Sequence, residues 1–446
     1  MNRRKYLLLL VFAFLFGITN STNAQSGPPK YVTKAVDSIK KLVTDDNDST
    51  IATFLEESIQ YSDEVDRRNL IDRLTTIRNE LHNRWENVTV RPDPEGVRLI
   101  FAEREPAKHL KVILDQKGIY DLYFTQPPDP ITFTKTNIDS IFRELESKGF
   151  SGVAYIQIDG EILFEKGFGT ANKALDIPNT TETIFGIGSR PIDFTKAAIH
   201  LLEQRGQISQ DETIEHYFED VPADKRAITI RHLMTGKSGL PDFFHTSEDW
   251  DPDLAWVDRE TAVHRILSQK LQFKPGSDRK HSHAAFGLLA ALIERVAGKP
   301  YFDFLNQNFF LPAEMHHTNE YGKADNHRLT DFAVGYGSQS IGLPNIPPNW
   351  GPTSWLIKGS GGMYSTLGDL LKFYEFLRSG QLLEPVHRQV FEETSTTLDG
   401  SVRGFELFNI YLSGDNKAYI FLNNPGDRRQ MRVLFQAVVD FVKQED

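Results

Sequence analysis

Thr183-Ile-Phe-Gly-Ile-Gly-Ser-Arg-Pro-Ile-Asp-Phe-Thr-Lys196 is the stretch on which the reading of this chain turns. A short apolar, strand-like run ends at Gly188-Ser189, and Pro191 then stands in the first turn of a helix. Proline is tolerated there because its missing N–H would have been unpaired anyway. The apolar spacing carries the helix on through Ala197, Ala198, Leu201 and Leu202. A serine at the mouth of a helix lies among free backbone N–H groups at the positive end of the helix dipole. That place suits an N-cap, and it also suits a nucleophile that forms an oxyanion beside it.

Downstream, Ile228-Thr-Ile-Arg-His-Leu-Met-Thr-Gly-Lys-Ser-Gly-Leu-Pro-Asp242 reads as a helix that ends in a Ser-Gly-Leu-Pro loop. Lys274-Pro-Gly276 precedes His281-Ser282-His283 and a helix over Gly287 to Val296, which closes at Gly298-Lys-Pro300. Gly359-Ser-Gly-Gly-Met-Tyr-Ser-Thr366 leads into a helix over Asp369 to Arg378. Phe405 to Leu412 and Ala418 to Leu422 read as strands, and Arg428 to Val442 as a closing helix.

In this order the runs resemble the β-lactamase/penicillin-binding-protein superfamily, especially class C enzymes and related esterases and peptidases. The resemblance covers about Ile138 to Val442. It implies an α+β fold, an antiparallel sheet flanked by helices with an all-α region beside it. Ser189 then stands at the family's active serine. The family's lysine, three residues on and one turn along the same helix face, is here Ile192. At the second motif the family carries Tyr-x-Asn, where tyrosine or lysine takes the serine proton and asparagine holds the substrate amide; here these positions are His281 and His283. The third motif, Lys-Thr-Gly or His-x-Gly on an edge strand, falls on Leu398-Asp399-Gly400, with no cation to hold a substrate carboxylate. The segment before it, Arg388 to Thr397, is read as too short for the usual strand.

The resemblance therefore gives Ser189 and His281 as catalytic candidates, with Ser238, His283 and Gly400 at substrate-binding positions. His232 matches a structural position of the family. Lys196 lies seven residues past Ser189, about 10 Å along a helix, too far to serve as base. The His281-x-His283 pair suggests a metal, but no third ligand stands nearby in sequence, so no metal and no cofactor is expected. Three functional readings follow. In the first, the scaffold is weak or inactive and binds a small-molecule or peptide-like ligand, or a partner, since an unactivated serine hydroxyl is a poor nucleophile. In the second, a rebuilt hydrolase uses His281 as base to Ser189. In the third, the protein is purely structural and Ser189 only caps a helix.

Upstream of this region, Val36, Ile39, Leu42 and Val43, then Ile51, Phe54, Leu55 and Ile59, recur at helical spacing. Leu70, Ile71, Leu74, Ile77, Leu81 and Trp85 form the longest such stripe. Four strand-like runs follow, Val88 to Arg91, Val97 to Ala102, Leu110 to Leu114 and Ile119 to Phe124. They predict a small α+β domain over residues 29–125, joined by a proline-rich linker at 126–135 to the main domain at 136–446. Ser38-Ile-Lys-Lys41 matches Ser-x-x-Lys by letter, but precedes no strand-to-helix turn. Ile138 to Glu146 predicts a helix, and Val153 to Ile158 with Ile162 to Phe164 a hairpin turning at Asp159-Gly160.

Met1 to Ala24 has a basic start at Arg3-Arg-Lys5, about ten apolar residues and small residues before a cleavage point, which is the pattern of a signal peptide. A membrane span would need about 20 apolar residues. The expectation is an exported bacterial protein, periplasmic or secreted and no integral membrane protein once cleaved. With no cysteine among 446 residues the chain has no disulfide or thiol chemistry. Its net charge of −11 argues against nucleic acid as a partner.

Overall fold

A computed structural model describes residues 28–45, 47, 49–60, 64–82, 84–86, 88–93, 96–101, 107–125, 128–401, 403–412 and 416–444. The expected signal peptide lies outside them, as does part of the proline-rich linker. The chain divides into two compact units, residues 1–129 and 130–446. No helix among the described residues is long and apolar enough to cross a membrane.

In the first unit α1 (Lys30–Thr44), α2 (Thr50–Ser58) and α3 (Glu64–Leu81) precede four strands, β1 (Val88–Asp93), β2 (Gly96–Phe101), β3 (Lys108–Asp115) and β4 (Gly118–Thr125). The strands form an antiparallel meander in sequence order. Alternate residues of β2 and β3, including Val97, Leu99, Leu110 and Val112, meet Ile39, Leu42, Leu74 and Ile77 from the helices in one apolar core. Period-2 and period-3.6 stripes from the same unit face each other there.

The second unit is built on a five-stranded antiparallel sheet. After α4 (Ile138–Ser147) come β5 (Ser151–Ile158) and β6 (Glu161–Phe168), joined at Asp159 and Gly160, whose φ values of 52° and 77° make the tight hairpin turn. Short strands follow: β7 (Thr170–Asn172) pairs with β8 (Ile177–Pro178), while β9 (Phe185–Gly186) joins a small sheet further on. A helical stretch then carries α5 (Pro191–Gln204), α6 (Ile230–Met234), α7 (Arg259–Ser268), α8 (His283–Ala297) and α9 (Tyr301–Leu305). β10 (Asn319–Glu320) and β11 (Met363–Ser365) complete the small sheet in the order β10-β11-β9. The chain ends with α10 (Leu367–Arg378), α11 (Pro385–Glu392), β12 (Ser395–Gly400), β13 (Glu406–Tyr411), β14 (Lys417–Asn424) and α12 (Arg428–Gln444). The large sheet runs β12-β13-β14-β5-β6.

Every residue of β5 is buried because both faces of the sheet are covered. Ala154, Ile156 and Ile158 face Phe142 of α4 and Leu434, Phe435 and Val438 of α12. Val153 and Tyr155 face the other way, into the core that holds Phe194, Leu201, Leu288 and Phe373. Two elements differ from the sequence reading. A complete six-residue edge strand, β12, occupies Ser395–Gly400 and pairs along its length with β13, although the segment reads as too short. Only about six residues are needed for an ordinary strand, and α11 ends at Glu392, which leaves them free. In addition, α8 starts at His283, four residues before the start read at Gly287, because Ser282 caps it by accepting from Ala285 N–H at 3.1 Å.

Glu406, at the start of β13 and beside the edge strand β12, is a buried charged residue. Its side chain is paired to Arg428 at 2.9 Å through one oxygen, while the other oxygen is buried without a hydrogen-bond partner among the described residues. Burial first, with Asp399 adding to it against the pull of Arg428, pushes its carboxyl up to about 7. A raised carboxyl is protonated more readily folded than unfolded, so its penalty is absent below about pH 4.5 and grows as pH rises through 7. The cost at the upper end is on the order of 3 kcal/mol. Glu406→Gln should accordingly gain in melting temperature relative to the parent as pH is raised from 5 to 8, and a constant difference across that range would show that Glu406 does not titrate as described.

Candidate active site

Ser189 sits where the small sheet hands over to a helix. β9 pairs with β11, Gly186 opposite Tyr364, and Ile187 N–H donates to Met363 O at 3.1 Å. The chain then turns at Gly188, whose φ of 53° favours glycine and whose Cβ, if present, would lie 3.2 Å from the Asp399 side chain. Ser189 follows, immediately before α5. Its own N–H donates no hydrogen bond among the described residues, which leaves it free at the helix mouth. Ile192 is partly buried and packs against the main core, so the position where a lysine would stand is filled by hydrocarbon.

The ring that reaches the serine is that of His283. Ser189 Oγ lies 3.4 Å from His283 Nε2, and His283 Nδ1 lies 2.7 Å from Asp242 Oδ1. The same carboxylate oxygen accepts the backbone N–H of His283 at 3.1 Å. With Nδ1–H donated to a carboxylate, the tautomer leaves Nε2 as an acceptor aimed at the serine hydroxyl. Burial works to raise the Asp242 carboxyl, but the side-chain and backbone hydrogen bonds from His283 outweigh it and hold it below its ordinary range. Asp242 is thus ionised wherever an imidazole is neutral. Because its folded value is depressed, the stability it contributes is present above about pH 4 and is lost as pH falls further.

His281, expected from the sequence as the base, makes no hydrogen bond to Ser189 among the described residues. It packs edge-on against His283, ring centroids 4.6 Å apart. The physical reason is the early start of α8: His283 is the first helical residue and projects toward Ser189, while His281 lies in the extended lead-in before the cap. Although His281 is exposed at its outer edge, partial burial first and the neighbouring His283 second lower its titration. Phe243 stacks on His283, centroids 4.6 Å apart and planes 13° from parallel, so both Phe243 and His281 pack against that ring. Asp242 is the residue that sequence reasoning missed. Its signal was its place directly after Pro241, in the same loop as Ser238.

Of the positions given as substrate-binding, Ser238 is buried and its hydroxyl accepts from Leu240 N–H at 3.2 Å. Gly400 ends the edge strand β12, where a Cβ would meet the Glu406 carboxylate. Asp399, one residue earlier, is bonded by the Arg190 guanidinium, with the Nε bond at 2.8 Å. That guanidinium also donates to Asn409 at 2.9 Å and is itself buried. A buried ion pair with its remaining donors satisfied ties the edge strand to the start of α5, and the Arg190 charge is taken up in it. Lys196 lies beside Asp193 at 3.5 Å. His232 accepts Thr229 N–H at 3.3 Å on Nδ1, while Thr229 accepts His232 N–H, so it caps α6.

A third ligand for the His-x-His pair, not visible near it in sequence, comes from 41 residues upstream: one donor atom each from Asp242, His281 and His283 lie within 4.8 Å of one another. A cation there would have to displace the Asp242–His283 hydrogen bond.

The model of the Beta-lactamase family matches residues 138–408. Penicillin-binding protein 4* of Bacillus subtilis (strain 168) is 27% identical over 266 residues, 57% of this chain and 58% of that one. Teichoic acid D-alanine hydrolase of Staphylococcus aureus (strain MRSA252) is 27% identical over 247 residues, 55% of this chain and 58% of that one. The chain thus spans a little over half the length of these two curated relatives. The crystal structure of a penicillin binding protein from Bacillus halodurans superimposes with a TM-score of 0.55 at 23% identity, covering 68% of this chain and 99% of that one, a likeness of fold. With the α+β architecture, the serine-to-helix turn and a family match across more than half its length, this chain belongs to the Beta-lactamase family.

Proposed function

We propose that the protein is a serine hydrolase that acts through Ser189, His283 and Asp242, a triad rebuilt on a scaffold whose lysine and tyrosine positions have changed. The observation that carries this reading is the pair of hydrogen bonds in series, 3.4 Å from serine to imidazole and 2.7 Å from imidazole to carboxylate. The first is long for an O–H···N bond, as such contacts are before substrate closes the site. The roles then follow from chemistry. Ser189 Oγ attacks the acyl carbon of an ester or amide and passes its proton to His283 Nε2. The oxyanion that forms is placed to accept from the Ser189 N–H, which donates to no other group among the described residues. Collapse breaks the bond to the leaving alcohol or amine, which takes the proton from His283. Water then repeats the sequence on the acyl-enzyme, and Asp242 stabilises the imidazolium in both halves.

The surroundings favour one class of substrate. At β12 Arg190 is spent on Asp399, so among the described residues its charge offers no partner to a carboxylate beside the scissile bond. Exposed Lys237, Lys274, Arg279 and Lys280 stand on two loops joined by Lys280 N–H to Gly236 O at 2.8 Å and Gly276 N–H to Lys237 O at 2.9 Å. None of the four has an ion-pair partner among the described residues. An acyl ester on an anionic carrier fits both features, and the name of the teichoic acid D-alanine hydrolase relative supports that class. Such a carrier, together with the signal-like Met1 to Ala24, supports an exported enzyme.

Hydrolysis of p-nitrophenyl acetate and of a D-alanyl ester tests the proposal. Ser189→Ala should abolish turnover. His283→Ala and Asp242→Asn should each lower kcat by about 10²–10⁴, while His281→Ala should change it by less than about tenfold. A parent protein with no activity above buffer would return the inactive, ligand-binding reading to first place. A loss confined to His281→Ala would make His281 the base.

A further inference from the structure

A second group of ligand-type side chains lies outside this cleft, at the opposite end of α5. His200 and Glu203 are three residues apart and therefore share one face of the helix, and His387 meets them from α11. One donor atom from each of the three lies within 4.8 Å of the other two. His387 Nδ1 is 3.6 Å from Glu203 Oε2, and the two imidazoles meet edge to face with centroids 5.8 Å apart. His200 Nδ1 is buried with no hydrogen-bond partner among the described residues. Buried imidazole nitrogens are ordinarily paired, so an ordinary packing role for His200 leaves one donor or lone pair unexplained. Glu203 is held in place, since its carboxylate accepts the Gln210 backbone N–H at 2.9 Å and the Gln210 side chain at 2.6 Å. All three residues keep partial exposure, which gives an ion a way in.

We propose that His200, Glu203 and His387 form a binding site for a divalent cation of the zinc type, which fastens α11 to the C-terminal end of α5. Two imidazoles and one carboxylate suit zinc and its first-row neighbours, whereas calcium and magnesium prefer all-oxygen sets. Ligand bonds of about 2.0–2.2 Å put donor atoms about 3.3–3.5 Å apart in a tetrahedron, so the side chains close by about 1 Å on the ion. The fourth position is open to a water molecule. The negative end of the α5 dipole adds to the attraction. Positive neighbours act against it on His200, namely Arg231 and Lys196, but Arg231 is bonded to Asp211 at 2.8 Å and Lys196 to Asp193 at 3.5 Å. The site is eleven residues beyond Ser189, about 16 Å along the helix, and it does not depend on the proposed hydrolase chemistry.

The test uses the full chain stripped with chelator and then titrated with Co²⁺, read by visible d–d absorption, and with Zn²⁺, read by calorimetry. One tightly held ion is expected, with a tetrahedral-type cobalt spectrum and a higher melting temperature when zinc is bound. His200→Gln and His387→Gln should each weaken binding at least tenfold, and His281→Ala should leave it unchanged. His387→Gln lies on the more exposed helix, so a failure of His200→Gln to fold leaves the measurement available. Loss of binding in His281→Ala alone would place the ion in the serine cleft and overturn the proposal. Absence of binding to the folded parent at 100 μM metal would overturn it too.

Discussion

The Asp242 carboxylate bonds His283 twice, through the ring at 2.7 Å and through the backbone N–H at 3.1 Å. The catalytic reading depends on that double contact. One bond fixes the ring's tautomer and the other fixes the start of the helix that carries it. Two further bonds hold the same junction: Ala284 N–H donates to Asp242 O at 2.9 Å, and the Ser282 hydroxyl to Pro241 O at 2.7 Å. The loop after α6 and the first turn of α8 are thereby one rigid corner. A base held this way needs little reorganisation when charge develops on it, which is what makes a preorganised site effective.

The opposite wall is set by a different constraint. Gly359 has a φ of 85° and its missing Cβ would fall 2.4 Å from Phe286 O in α8, so only glycine lets that loop press against the helix. Gly359 O in turn accepts the Thr195 hydroxyl of α5 at 2.6 Å. The serine helix and the histidine helix are thus located against a common loop. On the third side, Arg190 binds Asp399 and brings the edge strand up to the serine. In a family that uses a lysine one turn past the serine, the positive charge sits inside the cleft. Here Ile192 makes that spot apolar, and the adjacent Arg190 is neutralised.

Much of this was legible in the sequence, and for physical reasons. The helices with long apolar stripes, such as α3, α10 and α12, and the Asp159-Gly160 hairpin show themselves through periodicity and turn chemistry. Ser189 shows itself because an apolar strand, a glycine and an N1 proline coincide. The first turn of α8 did not, since Ser282 and His283 are polar and the apolar run begins only at Ala284; the cap residue alone marked it. β12 was obscured because Ser395, Thr396 and Thr397 carry no apolar alternation on an edge that is half solvent-facing. Asp242 could not be assigned to His283 because 41 residues separate them, and contact across that distance is a property of the fold. His200, Glu203 and His387 are hidden for the same reason, two on one helix and the third far along the chain.

The central claim is that Ser189 is activated by His283. The most direct measurement is labelling of the purified protein by a fluorophosphonate, followed by intact mass and peptide mapping. The account predicts one phosphonyl adduct on Ser189, formed quickly in the parent and in His281→Ala and at least tenfold more slowly in His283→Ala. No adduct on the parent, or equal labelling rates in His283→Ala, would contradict it.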